Sequence, residues 1–332
     1  MKRWSIVALA LAVAMLILAG IVGPAQANVF GPNGRIVFGR FDNKLGDTVS
    51  YTVNPDGTHQ QQLFSGTSEV PRWSPDGSTV ALLACASPCP GDVPAIIVNP
   101  DTGAFTQLEN PQFSTLFTDW ECTVWSPDGS RLACGAVGTD ATVNGIYTIR
   151  SSDGGDLTRV TAFPFGDGGP GDYSPDGTRI VFVHTDLKGR TGLFIVNVDG
   201  RGRQQITPQG MIVNNAYGGS WSPDGNHILF QARPSADRSY AVYEVNPDGT
   251  GLQQVPIPGC GGLNSDRGTI ACRRPVWSPD GTKIALAVRS FVTGQVNIFT
   301  VNADGTGLTQ VTHRDLGLEG GYVDWGTHPL TT

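Results

Sequence analysis

The sequence predicts an all-β protein: a six-bladed β-propeller of four-stranded antiparallel blades, closed by pairing of the N- and C-terminal segments. Three observations predict it. The word WSPDG recurs at 73–77, 125–129, 221–225 and 277–281, with YSPDG at 173–177. A second turn word of similar grammar alternates with the first. The two chain ends each carry part of one further copy.

Each SPDG is built as a turn. Ser at the first position, Pro at the second, Asp at the third and Gly at the fourth suit a type I turn. The glycine supplies the left-handed position that closes a hairpin with a bulge. Behind the turns run STVALL, SRLACG, TRIVFV, NHILFQ and TKIALA, apolar in the manner of half-buried strands. The second word appears as NPDG (54–57), NPDTG (99–103), SSDGG (151–155), NVDG (197–200), NPDG (246–249) and NADG (302–305). It follows an apolar strand such as LFIVN and precedes a polar one such as RQQIT. One unit is therefore strand, turn, strand, loop, strand, turn, strand.

Aromatic residues mark the units: Trp73, Trp125, Tyr173, Trp221, Trp277 and Trp325, at intervals of 52, 48, 48, 56 and 48 residues. Four strands in about 50 residues, repeated radially, describe a propeller blade. One aromatic per blade is expected to pack against the neighbouring sheet, and each PDG aspartate to serve its turn. The sixth unit is split. YVDWGTHPL near the C-terminus has the aromatic strand without the PDG turn, and GPNGRIVFGRF (31–41) has a PNG turn and the next strand. The C-terminus is expected to give the inner strand and the N-terminus the other three, which removes an open edge. Residues 28–332 are expected to form this one domain.

The remaining features concern compartment. Lys2 and Arg3 precede WSIVALALAVAMLILAGIV and then GPAQA, which predicts a signal peptide over 1–27 cut after Ala27. The competing expectation is an uncleaved anchor, since about 18 apolar residues begin to span a bilayer. No later stretch is apolar and long enough to cross. The net charge of −7 gives no footprint for nucleic acid or an anionic membrane surface. Six cysteines fall into three close pairs, Cys85 with Cys89, Cys122 with Cys134 and Cys260 with Cys272. In an oxidising compartment such spacing predicts three disulfides. Metal binding or free thiols at the CxxxC pair is the competing reading, and no histidine lies near any pair.

WSPDGTKIALAV followed by NIFTVNADGTGLTQVT resembles the repeat of TolB-like six-bladed propellers, a WD40-like repeat, and the resemblance extends over 28–332. Prolyl-oligopeptidase-type enzymes carry the same repeat in their propeller domains. TolB is periplasmic, has an α/β domain before its propeller, and works with a peptidoglycan-associated lipoprotein. This sequence enters its first blade a few residues after Ala27. The resemblance thus implies a stand-alone, partner-binding propeller, periplasmic or extracellular.

Motifs for chemistry are few. The sequence has no G-x-S-x-G elbow, HExxH, P-loop, dinucleotide glycine pattern or EF-hand loop. FGDGGPGD (165–172) matches no calcium loop. His59, His184, His227, His313 and His328 are scattered, although a propeller can gather distant ligands on its axis. Neither metal nor cofactor is expected. The loops entering the inner strands differ most between units: SEVPR (68–72), TDWECTV (118–124), GGPGD (168–172), NAYGGS (215–220), ACRRPV (271–276) and GGYVD (320–324). They offer Glu69, Arg72, Asp119, Trp120, Glu121, Tyr217, Arg273, Arg274, Tyr322 and Asp324 as partner-binding candidates, a mixed-sign set with the aromatics and arginines typical of interfaces. The expected function is an exported, monomeric, non-enzymatic scaffold. It recognises a protein or peptide of the cell envelope, or else a glycan, at the channel mouth. The alternative is a secreted hydrolase or lyase with a metal-assisted site on the axis. Three or more carboxylates or imidazoles brought within metal-ligand reach there would favour the alternative, and a mixed-sign aromatic surface without such convergence would favour binding.

Overall fold

A computed structural model describes residues 31–84, 93–138, 140–161, 167–214, 218–236, 238–261, 270–317 and 321–332. Their strands form six antiparallel sheets, one per blade. Blade 1 is ordered Val323–Trp325, Ile36–Asp42, Asp47–Val53, Gln61–Gln62, so the C-terminus supplies the inner strand as the split repeat predicts. Blades 2, 3, 4 and 6 begin with Glu69–Trp73, Phe117–Trp125, Asp167–Tyr173 and Ile270–Trp277. The outermost strand of each of the six blades is two or three residues long, which leaves little edge for unwanted pairing.

Two details depart from the uniform four-stranded expectation. In blade 5 the inner strand is divided, Ile212–Val213 and Ser220–Trp221 both pairing with Ile228–Arg233. Beside the second piece the blades approach closely: a Cβ on Gly218 would lie 2.3 Å from the backbone nitrogen of Gly171 in blade 4. A single helical turn, Gln112–Leu116, joins blades 2 and 3 and buries Phe113. One turn is too short to leave a helical period in the sequence.

The repeated turns form as expected. In the first, Gly77 N–H donates to Ser74 O (2.8 Å), Ser74 Oγ to Asp76 Oδ1 (2.6 Å) and Ser78 N–H to the same oxygen (3.0 Å). Asp128, Asp176, Asp224 and Asp280 repeat the pattern. Partial desolvation works to raise these carboxyls, but the donated hydrogen bonds outweigh it and hold all five below the ordinary 3.8. The turns also interlock around the ring. Each turn glycine, with φ near +70°, stands over the proline of the preceding blade: Gly129 over Pro75, Gly177 over Pro127, Gly225 over Pro175, Gly281 over Pro223.

At the closing seam the C-terminal tail replaces that proline. Gly77 meets Thr327 and His328. His328 stacks on Trp73 (centroids 5.1 Å apart, 12° between planes) and its Nδ1 lies 2.7 Å from Gly77 O. Buried Arg35 pairs with Asp101, which also lies 3.2 Å from His328 Nε2. The core lies between blades rather than at one centre. Each marker aromatic belongs to or packs on one of six apolar clusters, and most of these span neighbouring sheets.

Cys122 and Cys134 face each other in the hairpin register and are bonded, as are Cys260 and Cys272. Cys85 and Cys89 lie outside the described residues, as does the 1–27 leader. Among the described residues no helix is long and apolar enough to cross a membrane.

Candidate functional site

The residue before each marker aromatic lies on the innermost strand, beside the axis. In ring order these are Asp324, Arg72, Val124, Asp172, Ser220 and Val276, each paired with the corresponding residue of its second strand. Three of them stitch adjacent blades together. Asp324 accepts from the backbone N–H of Trp73 (2.8 Å), Asp172 from that of Trp221 (3.0 Å), and Ser220 Oγ from that of Trp277 (3.5 Å). Arg72 spans the channel. It pairs with Asp324 of blade 1 at 3.6 Å and donates to Gly171 O of blade 4 at 3.4 Å. Together with the marker indoles these groups line an axial cavity of about 130 Å³. That is room for a few waters, each claiming roughly 30 Å³, rather than for an organic ligand.

Electrostatics distinguish these carboxyls from those of the turns. Asp172 is pushed up to about 7, chiefly by loss of hydration, with the Asp324 carboxylate adding to the shift and Arg72 and the Trp221 N–H opposing it. Glu121 is likewise raised to about 7. Desolvation dominates and neighbouring Glu69 adds, against Arg72 and Arg274. Burial raises Asp324 too, against its pairing with Arg72. Near pH 7 Glu121 and Asp172 therefore exchange protons readily, and a nearby charge selects their state.

Above this cluster the strands bulge. Register shifts fall between Glu69 and Arg72 in blade 2 and between Arg273 and Val276 in blade 6. Val70 (φ 48°) and Arg274 (φ 55°) occupy the left-handed region at equivalent positions. For a β-branched residue this is a costly conformation, of order 1–3 kcal/mol, and bulges of this kind re-aim side chains. The Arg274 guanidinium lies 3.6 Å from the centroid of the Tyr322 ring.

Six of the sequence-predicted residues therefore meet at the axis and its loop-side mouth: Glu69, Arg72, Glu121, Arg274, Tyr322 and Asp324. Trp120 is taken up by packing instead. Its indole N–H donates to Val93 O (3.1 Å) and its ring stands edge-on to Phe113 (5.5 Å). Asp119 is exposed on the same strand, and Tyr217 lies outside the described residues. Arg273 and Arg274 also line a second pocket, about 450 Å³, between blades 5 and 6.

Sequence reasoning missed Asp172, although its place before Tyr173, matching that of Arg72 before Trp73, signals it. It also missed Arg233, Arg238, Tyr240 and Phe291 of the second pocket. They belong to hairpins between second and third strands, which the inspection of inner-strand loops did not reach. Among the described residues no three His, Cys, Asp or Glu side chains are placed to hold a metal ion.

The family model for the TolB beta propeller domain matches residues 51–256. An uncharacterized protein of Agrobacterium fabrum is 30% identical over 224 residues, 64% of this chain and 67% of that protein. A protein TolB homolog of Chlorobium luteolum is 33% identical over 159 residues, 48% of this chain and 31% of that protein. The crystal structure of TolB from Acinetobacter baumannii aligns with a TM-score of 0.69 at 19% identity, over 88% of this chain and 66% of that one. This chain thus spans under a third of the Chlorobium protein and just short of two thirds of the Acinetobacter one.

Proposed function

The chain belongs to the TolB β-propeller domain family, and we propose that it is an exported, non-enzymatic binding propeller that holds a protein or peptide partner on the loop-side mouth of its channel. The observation that carries this reading is the convergence of Glu69 and Arg72 from blade 2, Glu121 from blade 3, Arg274 from blade 6, and Tyr322 and Asp324 from blade 1. Their identities are not repeated in every blade, although Arg72 and Asp324 also tie blades together. They combine both charge signs with an aromatic ring on a rigid support, which suits an interface. The axial cavity of about 130 Å³ lies toward the SPDG turns, lined by Ser74, Pro75, Pro223 and Pro279, and meets this loop-side set only at Arg72 and Asp324. Two disulfides and the N-terminal leader pattern support passage to a periplasmic or extracellular compartment.

The test is affinity capture of the exported protein from the envelope and medium of its own source. Bound molecules are identified by mass spectrometry, and a Glu121→Ala/Arg274→Ala variant is run in parallel. The reading expects a partner that the variant loses. Capture that is absent, or unchanged in the variant, overturns it.

A further inference from the structure

The pocket between blades 5 and 6 is basic on an acidic protein. Arg233 and Arg238 come from blade 5 and Arg273 and Arg274 from blade 6, and no carboxylate lines the pocket among the described residues. Its floor is fixed. Buried Gln231 donates to Cys272 O (2.8 Å) and accepts from Asn214 Nδ2 (2.9 Å), bridging the two blades beside the Cys260–Cys272 bond. Arg233 is positioned by donation to Ala236 O (3.1 Å) and by lying over the Tyr240 ring (4.9 Å), yet its buried Nε has no hydrogen-bond partner among the described residues. Arg274 also faces the Glu121 carboxylate and the Tyr322 ring at the mouth, so Arg233 and Arg238 are the cations that belong to this pocket alone.

We propose that this pocket is a subsite for an acidic peptide segment of a partner protein, its carboxylates held chiefly by Arg233 and Arg238. The inference rests on reading the loop-side mouth as a partner surface, because the pocket shares Arg273 and Arg274 with it. Planar guanidinium forks match carboxylates in bidentate pairs. A pocket of about 450 Å³ walled by two blades fits an extended chain with several carboxylates better than one compact ion. A peptide is favoured over an acidic glycan by the adjoining hairpin tip. There Phe291 lines the pocket at 50% exposure and Val292 follows at 82%. An aromatic beside a β-branched aliphatic offers cover to apolar side chains, which a peptide supplies between its acidic ones.

The probe is the labelled peptide acetyl-Glu-Glu-Leu-Glu-Glu-Leu-amide, with its Gln-for-Glu counterpart and a galacturonic acid hexamer as controls. Binding to the full exported protein is followed by fluorescence anisotropy. Expected is saturable binding of the acidic peptide alone. It should weaken at least tenfold in Arg233→Gln/Arg238→Gln, and severalfold in Phe291→Ser. It should also weaken steeply as salt rises, since phosphate-like and carboxylate contacts are screened. The exposed Arg238→Gln single variant, checked for unchanged thermal unfolding, guards against a folding defect and should still weaken binding. No binding of the acidic peptide, equal binding by the Gln peptide, equal binding by the arginine variants, or preference for the hexamer each overturns the proposal. A captured partner that is lost in Glu121→Ala/Arg274→Ala but kept in Arg233→Gln/Arg238→Gln overturns this subsite while leaving the mouth reading intact.

Discussion

Five turn aspartates and three axial carboxyls occupy the same ring a few residues apart, and their chemistry runs in opposite directions. Asp76, Asp128, Asp176, Asp224 and Asp280 each receive a serine hydroxyl and a backbone N–H, and all sit below the ordinary carboxylate range. Glu121, Asp172 and Asp324 lose hydration at the axis and sit above it. The turn set obeys the repeat, and its bonding is local, so each copy solves the same problem. The axial set does not: Asp172 and Asp324 share the place before the marker aromatic, which holds Asp, Arg, Val, Asp, Ser and Val around the ring, while Glu121 lies four residues before Trp125. Where a ring repeats, the chain is building the fold. Where the same position varies, the chain is free to specialise.

The largest expected effect breaks the axial set at its hub. Arg72→Met leaves three desolvated carboxyls without their shared cation. At pH 8 this should cost on the order of 3–5 kcal/mol in urea denaturation. At pH 5, with Glu121 and Asp172 protonated, the cost should shrink to about a third of that. An equal loss at both pH values would mean that Arg72 acts by packing rather than by charge.

A middle effect belongs to the turns. Asp128→Ala removes the acceptor of the Ser126 hydroxyl, the Ser130 N–H and the Ser130 hydroxyl and should cost about 1–2 kcal/mol. Its folded value lies below 3.8, so its contribution is fully present above that pH and is lost as pH falls through the folded value. The cost should therefore be the same at pH 5 and pH 8. A cost that changes over that range would erase the contrast between the two sets.

Glu121→Gln should move stability the other way, by a similar amount. Its folded value of about 7 exceeds the ordinary 4.5, so the folded state binds the proton more tightly. No penalty exists below 4.5. It grows as pH rises and is complete above about 7. The variant should match the wild type at pH 4.5 and be more stable by about 1–2 kcal/mol at pH 8, by thermal or urea unfolding. The smallest effect is reserved for exposed Asp119. Asp119→Asn should stay within about 0.5 kcal/mol at either pH.

The sequence made the ring legible because its turns are self-contained. Ser, Pro, Asp and Gly each act on neighbours two to five residues away, so the pattern survives without three-dimensional knowledge. The Cys122–Cys134 bond was readable for the same reason, since the two flank one hairpin. The site was only half readable. Glu69, Arg72, Glu121, Arg274, Tyr322 and Asp324 could be proposed because all lie just before the marker aromatics, although the segments read there as loops are inner strands, with Tyr322 alone preceding one. Asp172 was passed over because what makes it notable is Arg72 reaching from another blade. Trp120 looked like an interface anchor, and only the neighbouring Phe113 and Val93 show that its ring serves packing. Arg233 and Arg238 met Arg273 and Arg274 through the pairing of two blades, which no local spacing encodes.

The most direct test of the contrast is a pH titration of the side-chain carboxyl carbons by NMR, on protein labelled with carbon-13 at aspartate and glutamate. The account predicts two carboxyls with apparent midpoints near 7, one absent in Glu121→Gln and one in Asp172→Asn, while the turn aspartates titrate below 3.8. Because the axial groups interact, each substitution should also shift the remaining midpoint. If every carboxyl titrates below about 5, within the ordinary range for exposed groups, the axis is not a desolvated charge cluster and the account is contradicted.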